Sequence, residues 1–160
     1  SYQEAVEEGG QGVFTSLVLA ALNGGACDVL GKVTTASVYS YVDETLGAWE
    51  QRPLFKSHVS RLLSLRQCRA IVDFAILRML PKYFPKPDHE YKLDPSYEPT
   101  EQPSHPEHEA ILKQFQKLRD ARLLITIGEE HLYYAAVRSK SCKLTPLGQF
   151  YWKLAFDGKV

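Results

Sequence analysis

Seven of the nine prolines in this 160-residue chain crowd one short stretch: Pro81, Pro85, Pro87, Pro95, Pro99, Pro103 and Pro106. Proline lacks a backbone donor, fixes its own φ and pushes its predecessor out of the helical region. Residues 81–106 are therefore predicted to be neither regular helix nor central strand. They read as an extended connector between two pieces, 1–80 and 107–160. Tyr83, Phe84, Tyr91, Leu93 and Tyr97 give the connector apolar handholds, which predicts a polyproline-like strap lying on a domain surface. No internal repeat is present.

Composition narrows the class of chain. With 44% hydrophobic and 24% charged residues, it is unlike a disordered segment, a coiled coil or a collagen-like fibre. The best apolar run, Val13 to Leu22, is broken by Thr15 and Ser16 and falls short of the ~18 residues of a membrane span. There is no basic, apolar leader. A cytoplasmic location without membrane partners is expected. Nineteen basic and nineteen acidic residues cancel, which argues against bulk nucleic-acid binding. Cys27, Cys68 and Cys142 are too far apart in sequence for a zinc knuckle or a redox pair. We expect reduced thiols packed as small hydrophobes. No metal-ligand cluster or Gly-rich phosphate loop is visible, so neither a metal nor a bound cofactor is expected. The sequence opens mid-pattern at Ser1-Tyr2-Gln3 without a Met, which reads as a fragment, a processed subunit or a trimmed piece.

Charge differs along the chain. Residues 1–80 hold seven Lys/Arg against eight Asp/Glu, 81–106 three against five, and 107–160 nine against six. The last piece is mildly basic and suits an anionic ligand. In the first piece, Gly12 to Asn23 is predicted to be a helix ended by Gly24-Gly25 and, being apolar almost all round, buried on more than one side. Thr34-Thr35 opens a second helix on which Val38, Val42, Leu46 and Trp49 recur. A short strand is predicted within 53–60, and a short helix from Ile71 to Leu80 stopped by Pro81. In the last piece, Pro106-Glu107 opens a helix with Ile111, Leu112, Phe115, Leu118 and Leu123 as its stripe. Leu123–Ile127 and His131–Val137 read as strands joined by a tight Gly128-Glu129-Glu130 hairpin. Thr145-Pro146 caps a final helix with Leu147, Phe150, Tyr151 and Leu154, and Trp152 reads as core. The order helix, strand, turn, strand, helix predicts a compact winged-helix-like α+β module over 107–160.

Gln3-x-Ala5-x-Glu7-x-Gly9-Gly10-x-Gly12-Val13-Phe14-Thr15 stands directly before the first helix. Gly24-Gly25-Ala26-x-Asp28, Gly31-x-Val33-Thr34 and Tyr39-x-Tyr41-Val42 follow in order. Over roughly residues 1–60 this set resembles the small-subunit half of bacterial caspase-like or metacaspase-like cysteine peptidases. The resemblance implies an α/β caspase-like half-domain in which a strand bearing part of the substrate pocket leads into the Gly-Val-Phe-Thr turn and the next helix packs on the central sheet. The later strings Leu93-Asp94-Pro95-Ser96-Tyr97-Glu98-Pro99-Thr100, Gly128-Glu129-Glu130-His131 and Ser139-Lys140-Ser141-Cys142-Lys143-Leu144-Thr145-Pro146-Leu147-Gly148 resemble a tail on some of these proteins. Some of them are antiviral effectors switched on by a nucleotide signal.

Such catalysis needs a thiolate and a histidine. The resemblance places both before Ser1, on a large catalytic subunit, so no catalytic residue is expected in this chain. Cys68 lies between Arg66 and Arg69, which favours a thiolate, but neither it, Cys27 nor His58 has the sequence context of a catalytic pair. The implied substrate pocket falls on Tyr2, Gln3, Glu4 and Glu7, with Glu8 nearby. Where the family places an acid before the glutamine, this chain has Tyr2, whose ring face can hold a cation at ~0.5–2 kcal/mol.

In the last piece His131, Tyr133, Tyr134, Arg138, Ser139, Lys140 and Lys143, with Ser141 among them, bring rings, cations and hydroxyls together. Rings stack on bases, and cations with hydroxyls hold phosphates. These residues are the expected site of a cyclic or ADP-ribose-type nucleotide. Two other readings remain open: a DNA-binding winged helix using Lys113, Lys117, Arg119 and Arg122, and a protein-interaction module.

Overall fold

The structure, a computed structural model, describes residues 7–8, 11–46, 56, 63–100 and 105–160. It is a mixed α/β chain whose described strands all pair antiparallel. The chain divides into two compact units, Ser1–Ile71 and Val72–Val160. The boundaries read from the prolines, at 80 and 106, thus fall inside the second unit.

In the first unit β1 (Glu7–Glu8) pairs with β2 (Gln11–Gly12). Helix α1 (Val13–Ala20) follows without a break and runs into a π-turn over Ala21–Gly25. Gly24 ends it at φ 117°, a conformation open chiefly to glycine. Asp28 shapes the next loop: its Oδ1 accepts from the backbone N–H of Leu30 (2.9 Å) and Lys32 (2.8 Å). Gly31, at φ 82°, lets the chain touch the end of the facing strand, since a β-carbon there would lie 2.4 Å from the Cys68 carbonyl oxygen. Strand β3 (Lys32–Thr34) then pairs with β4 (Ser64–Gln67).

Helix α2 (Thr35–Leu46) is capped reciprocally: Ser37 N–H donates to Thr34 Oγ1 and Thr34 N–H to Ser37 Oγ. Val42 and Leu46 are buried as its spacing predicts. The core of this unit gathers Ala21, Ala26 and Val33, with Leu22, Cys27, Val38, Tyr41 and Cys68 packed against them.

One expectation for α1 fails. It is not buried on several sides, because none of its residues is buried, and Phe14 is 51% and Leu19 44% exposed. It packs on α2 and the π-turn. Trp49 and all but Lys56 of the strand predicted within 53–60 lie outside the described residues.

The second unit opens with α3 (Phe74–Arg78) and α4 (Leu80–Tyr83). Pro81 does not stop a helix there but occupies the first turn of α4, where its missing donor has no partner to lose. The proline-rich stretch then supplies β5 (Glu90–Lys92) and a 3₁₀ turn over Pro95–Tyr97. Its handholds are used: Tyr83, Phe84, Leu93 and Tyr97 are buried. Helix α5 (Pro106–Asp120) buries Leu112, Phe115 and Leu118. Strand β6 (Leu124–Ile127), α6 (Leu132–Val137), β7 (Ser141–Leu144) and α7 (Pro146–Phe156) complete the unit.

The sheet order is β5-β7-β6, with β7 central. Cys142 and Leu144 of β7 face the core, and Ser141 and Lys143 face away. Rings pack around Phe115, with Tyr91 edge-on at 4.9 Å and Phe84 at 5.7 Å. Buried Trp152 donates from Nε1 to the Phe84 carbonyl at 2.6 Å.

The expected hairpin is absent. His131–Val137 is not a strand: Leu132–Val137 is helix, and β6 reaches its partner β7 only after that helix. Leu132, Ala135 and Ala136 are buried on one helical face, a period the alternating tyrosines conceal. The order is therefore helix, strand, helix, strand, helix, without the wing that a winged helix would carry.

Candidate functional site

Of the implied substrate-pocket residues, Tyr2, Gln3 and Glu4 lie outside the described residues, and Glu7 pairs in β1 with Gly12. The ligand residues expected in the last piece fall around α6. His131 is its N-cap and Arg138 its C-cap. Both, with Tyr133 and Tyr134, are exposed. Tyr133 and Tyr134 meet edge to face at 5.1 Å.

Of the cations of this group, Arg138 is already paired. Arg138 Nη1 donates to both carboxylate oxygens of Glu129, 3.0 Å to each, and the guanidinium lies 5.1 Å over the Tyr134 ring. The aliphatic stem of Lys140 lies beside Gly128, where a β-carbon would be 3.4 Å from it. Lys143 sits on the outer sheet face in register with Glu90 and Ile125. Ser139 stops the helix. At φ 52° it is the left-handed residue of a closing motif in which Lys140 N–H donates to the Ala135 carbonyl (2.7 Å) and Ser139 N–H to that of Ala136 (3.0 Å). The structure thus brings His131, Tyr133, Tyr134 and Arg138 onto one short helix, and turns Lys143 to the outer face of the sheet.

Beside this group lies a depression of about 220 Å³ between the end of α5 and β6, lined by Arg119, Arg122, Ile125 and Glu130 among others. Arg119 Nη2 donates to His131 Nδ1 at 3.2 Å. With an arginine donating, Nδ1 accepts and the ring proton sits on Nε2. In the sequence these arginines belong to a helix face. Their convergence on one hollow depends on where α5 stops.

Sequence reasoning also passed over a polar knot at Asp94. Ser96 Oγ donates to Asp94 Oδ1 (2.5 Å) and meets His108 Nδ1 at 2.6 Å, and His108 stacks on both Tyr97 and His105. Ser96, helped by its backbone N–H and by His108 and His105, holds the Asp94 carboxyl below its ordinary value against a smaller opposing effect of burial. The Asp-Pro-Ser turn was its only local sign.

The thiols differ. Burial pushes Cys142 up to about 12. Burial, then the nearby Cys68, raises Cys27. No group of histidine, cysteine and carboxylate side chains able to hold a metal occurs among the described residues, and none of their helices is long and apolar enough to cross a membrane. No family model, no curated protein and no solved structure matches the chain.

Proposed function

We propose that the first unit is the small-subunit half of a cytoplasmic caspase-like cysteine peptidase. Its catalytic thiol and histidine would come from a large catalytic subunit, with a protein as substrate. The second unit is its regulatory domain, and a small cyclic or ADP-ribose-type nucleotide made in antiviral defence shifts the peptidase toward its active population.

The observation that carries this reading is α1. A helix reading Val-Phe-Thr-Ser-Leu-Val-Leu-Ala has no buried residue in the chain alone. Apolar surface of that kind is what a half-domain presents to its other half. The ordered motif from Gly12 through Asp28 and Gly31 to Val42 supports the same reading. In the fold these residues are a helix start, a loop-shaping carboxylate, a close backbone approach and a buried helix position.

The test is co-expression of the chain with its large subunit and assay against peptides carrying basic or acidic residues at the cleavage site. We expect cleavage that a thiol alkylator abolishes and a nucleotide from the cyclic and ADP-ribose classes accelerates. Thiol-independent cleavage, or none with any nucleotide, overturns the peptidase reading.

A further inference from the structure

Helices α5, α6 and α7 all end in the same closing motif. Its signature is a pair of backbone hydrogen bonds that reach back around a residue in the left-handed region. In α7 that residue is Gly158 at φ 68°: Lys159 N–H donates to the Leu154 carbonyl (2.8 Å) and Gly158 N–H to that of Ala155 (3.1 Å). In α5 it is Arg122 at φ 60°: Leu123 N–H donates to the Leu118 carbonyl and Arg122 N–H to that of Arg119, both at 2.8 Å. Glycine occupies this position without a steric cost, whereas arginine carries one. A residue kept against its backbone preference points to work done by its side chain.

That side chain lines the depression beside α6. Arg119, one helical turn earlier, lines it too, and among the described residues neither guanidinium is paired with a carboxylate. The hydroxyls there are committed, Thr126 Oγ1 donating to the Glu129 carbonyl and Thr145 Oγ1 to that of Arg122. Arg119 Nη2 is engaged by the Glu130 carbonyl and His131 Nδ1, so the donors left to face a ligand are the Arg122 guanidinium and the remaining N–H groups of Arg119, which suit the oxygens of a phosphoryl group.

We propose that the Arg119–Arg122 depression holds the phosphate of the nucleotide-type signal, in place of Arg138, whose charge Glu129 already neutralises. A volume near 220 Å³ is below the ~300–1,000 Å³ that encloses a whole ligand. It therefore takes the phosphoryl head, with the nucleoside lying outside along exposed Ile125 and the Glu130 carboxylate accepting from a sugar hydroxyl. The identity of the ligand rests on the sensing reading above, whereas the anion site rests on the arginines alone.

The experiment is the thermal midpoint of the full chain at low ionic strength, with ADP-ribose, a cyclic dinucleotide and inorganic pyrophosphate as probes. Wild type and Arg138→Gln are expected to gain several degrees with a nucleotide, and Arg119→Gln and Arg122→Gly to gain none. Arg122→Gly should also melt above wild type without ligand, so its lost response cannot be ascribed to unfolding. A nucleotide shift kept by both of those variants, or lost only in Arg138→Gln, overturns the site and leaves sensing intact. An arginine-dependent shift with pyrophosphate that no nucleotide exceeds keeps the site and overturns sensing. No shift with any probe overturns both.

Discussion

Gly148→Ala tests how the framework around Arg122 is held. Gly148 lies in the first turn of α7, where a β-carbon would stand 2.0 Å from the Leu123 carbonyl oxygen, 2.9 Å from its carbonyl carbon and 3.2 Å from the Leu144 Cβ. Ordinary contact begins at 3.4 Å, so α7 and the Leu123 backbone must part by about 1.4 Å. Two hydrogen bonds cross that seam: Thr145 N–H to the Leu123 carbonyl (3.0 Å) and Thr145 Oγ1 to the Arg122 carbonyl (2.7 Å). Losing both costs about 2 kcal/mol, and the overpacking itself costs about 1–3 kcal/mol. Alanine's better helix propensity returns about 1 kcal/mol. The net loss is about 2–4 kcal/mol, which in a unit of this size lowers the midpoint by roughly 10–25 °C. Calorimetry on the purified variant measures it. A midpoint at or above wild type, the usual result for glycine to alanine in a helix, would falsify the close approach and with it the anchoring of Arg122.

Ser139→Gly, the same exchange at the end of α6, should raise the midpoint by a few degrees, since glycine relieves the left-handed residue at about 1 kcal/mol. Nucleotide or pyrophosphate shifts should be unchanged in it, and a lost shift would move the ligand site to α6. With its pKa up at about 12, Cys142 holds about 5,000-fold less thiolate at pH 8 than a half-ionised thiol. A disulfide reagent should therefore label it only in denaturant, and rapid native labelling would contradict its burial. The depressed Asp94 carboxyl contributes stability above its unfolded value, ~3.9, and that contribution is lost as pH falls through the lower folded value. Ser96→Ala should therefore be less stable than wild type in urea at pH 7, with the gap narrower at pH 3, below the unfolded value. An equal gap at both pH values would show that Asp94 is not the group responsible.

The reading of local elements succeeded where one residue's chemistry decides a boundary. Pro106 and the acids after it open α5, and Thr145 caps α7 by accepting from Gly148 N–H at 3.0 Å. Val42 and Leu46 face inward as their spacing requires. It failed where pattern is ambiguous over a short run. Tyr133 and Tyr134 hide a helix of which only Leu132, Ala135 and Ala136 carry the period. β4, Ser-Leu-Arg-Gln with every residue exposed, has no inward face to read. The prolines misled in another way. Each breaks a ladder or a helix interior, but Pro81, Pro95 and Pro106 all sit at the start of a helical turn, so the stretch folds into the second unit.

The candidate site was half legible for a related reason. Composition shows that the last piece is basic and aromatic, but not which cation is already spent. Arg138 and Arg122 look alike in the sequence. Glu129, nine residues before Arg138, neutralises it because the intervening helix folds the two together at 3.0 Å. Arg122 has no carboxylate partner among the described residues, and the closing motif that would accept glycine presents a guanidinium to a hollow instead. A local rule broken without a compensating contact is a stronger pointer to a ligand than a run of favourable residue types, since chance composition supplies the second readily and the first only at a cost in stability. The same contrast separates the helices themselves. Of the three closing residues, Gly158 ends α7 within the rule, Arg122 and Ser139 break it at the ends of α5 and α6, and of these Arg122 lines the hollow.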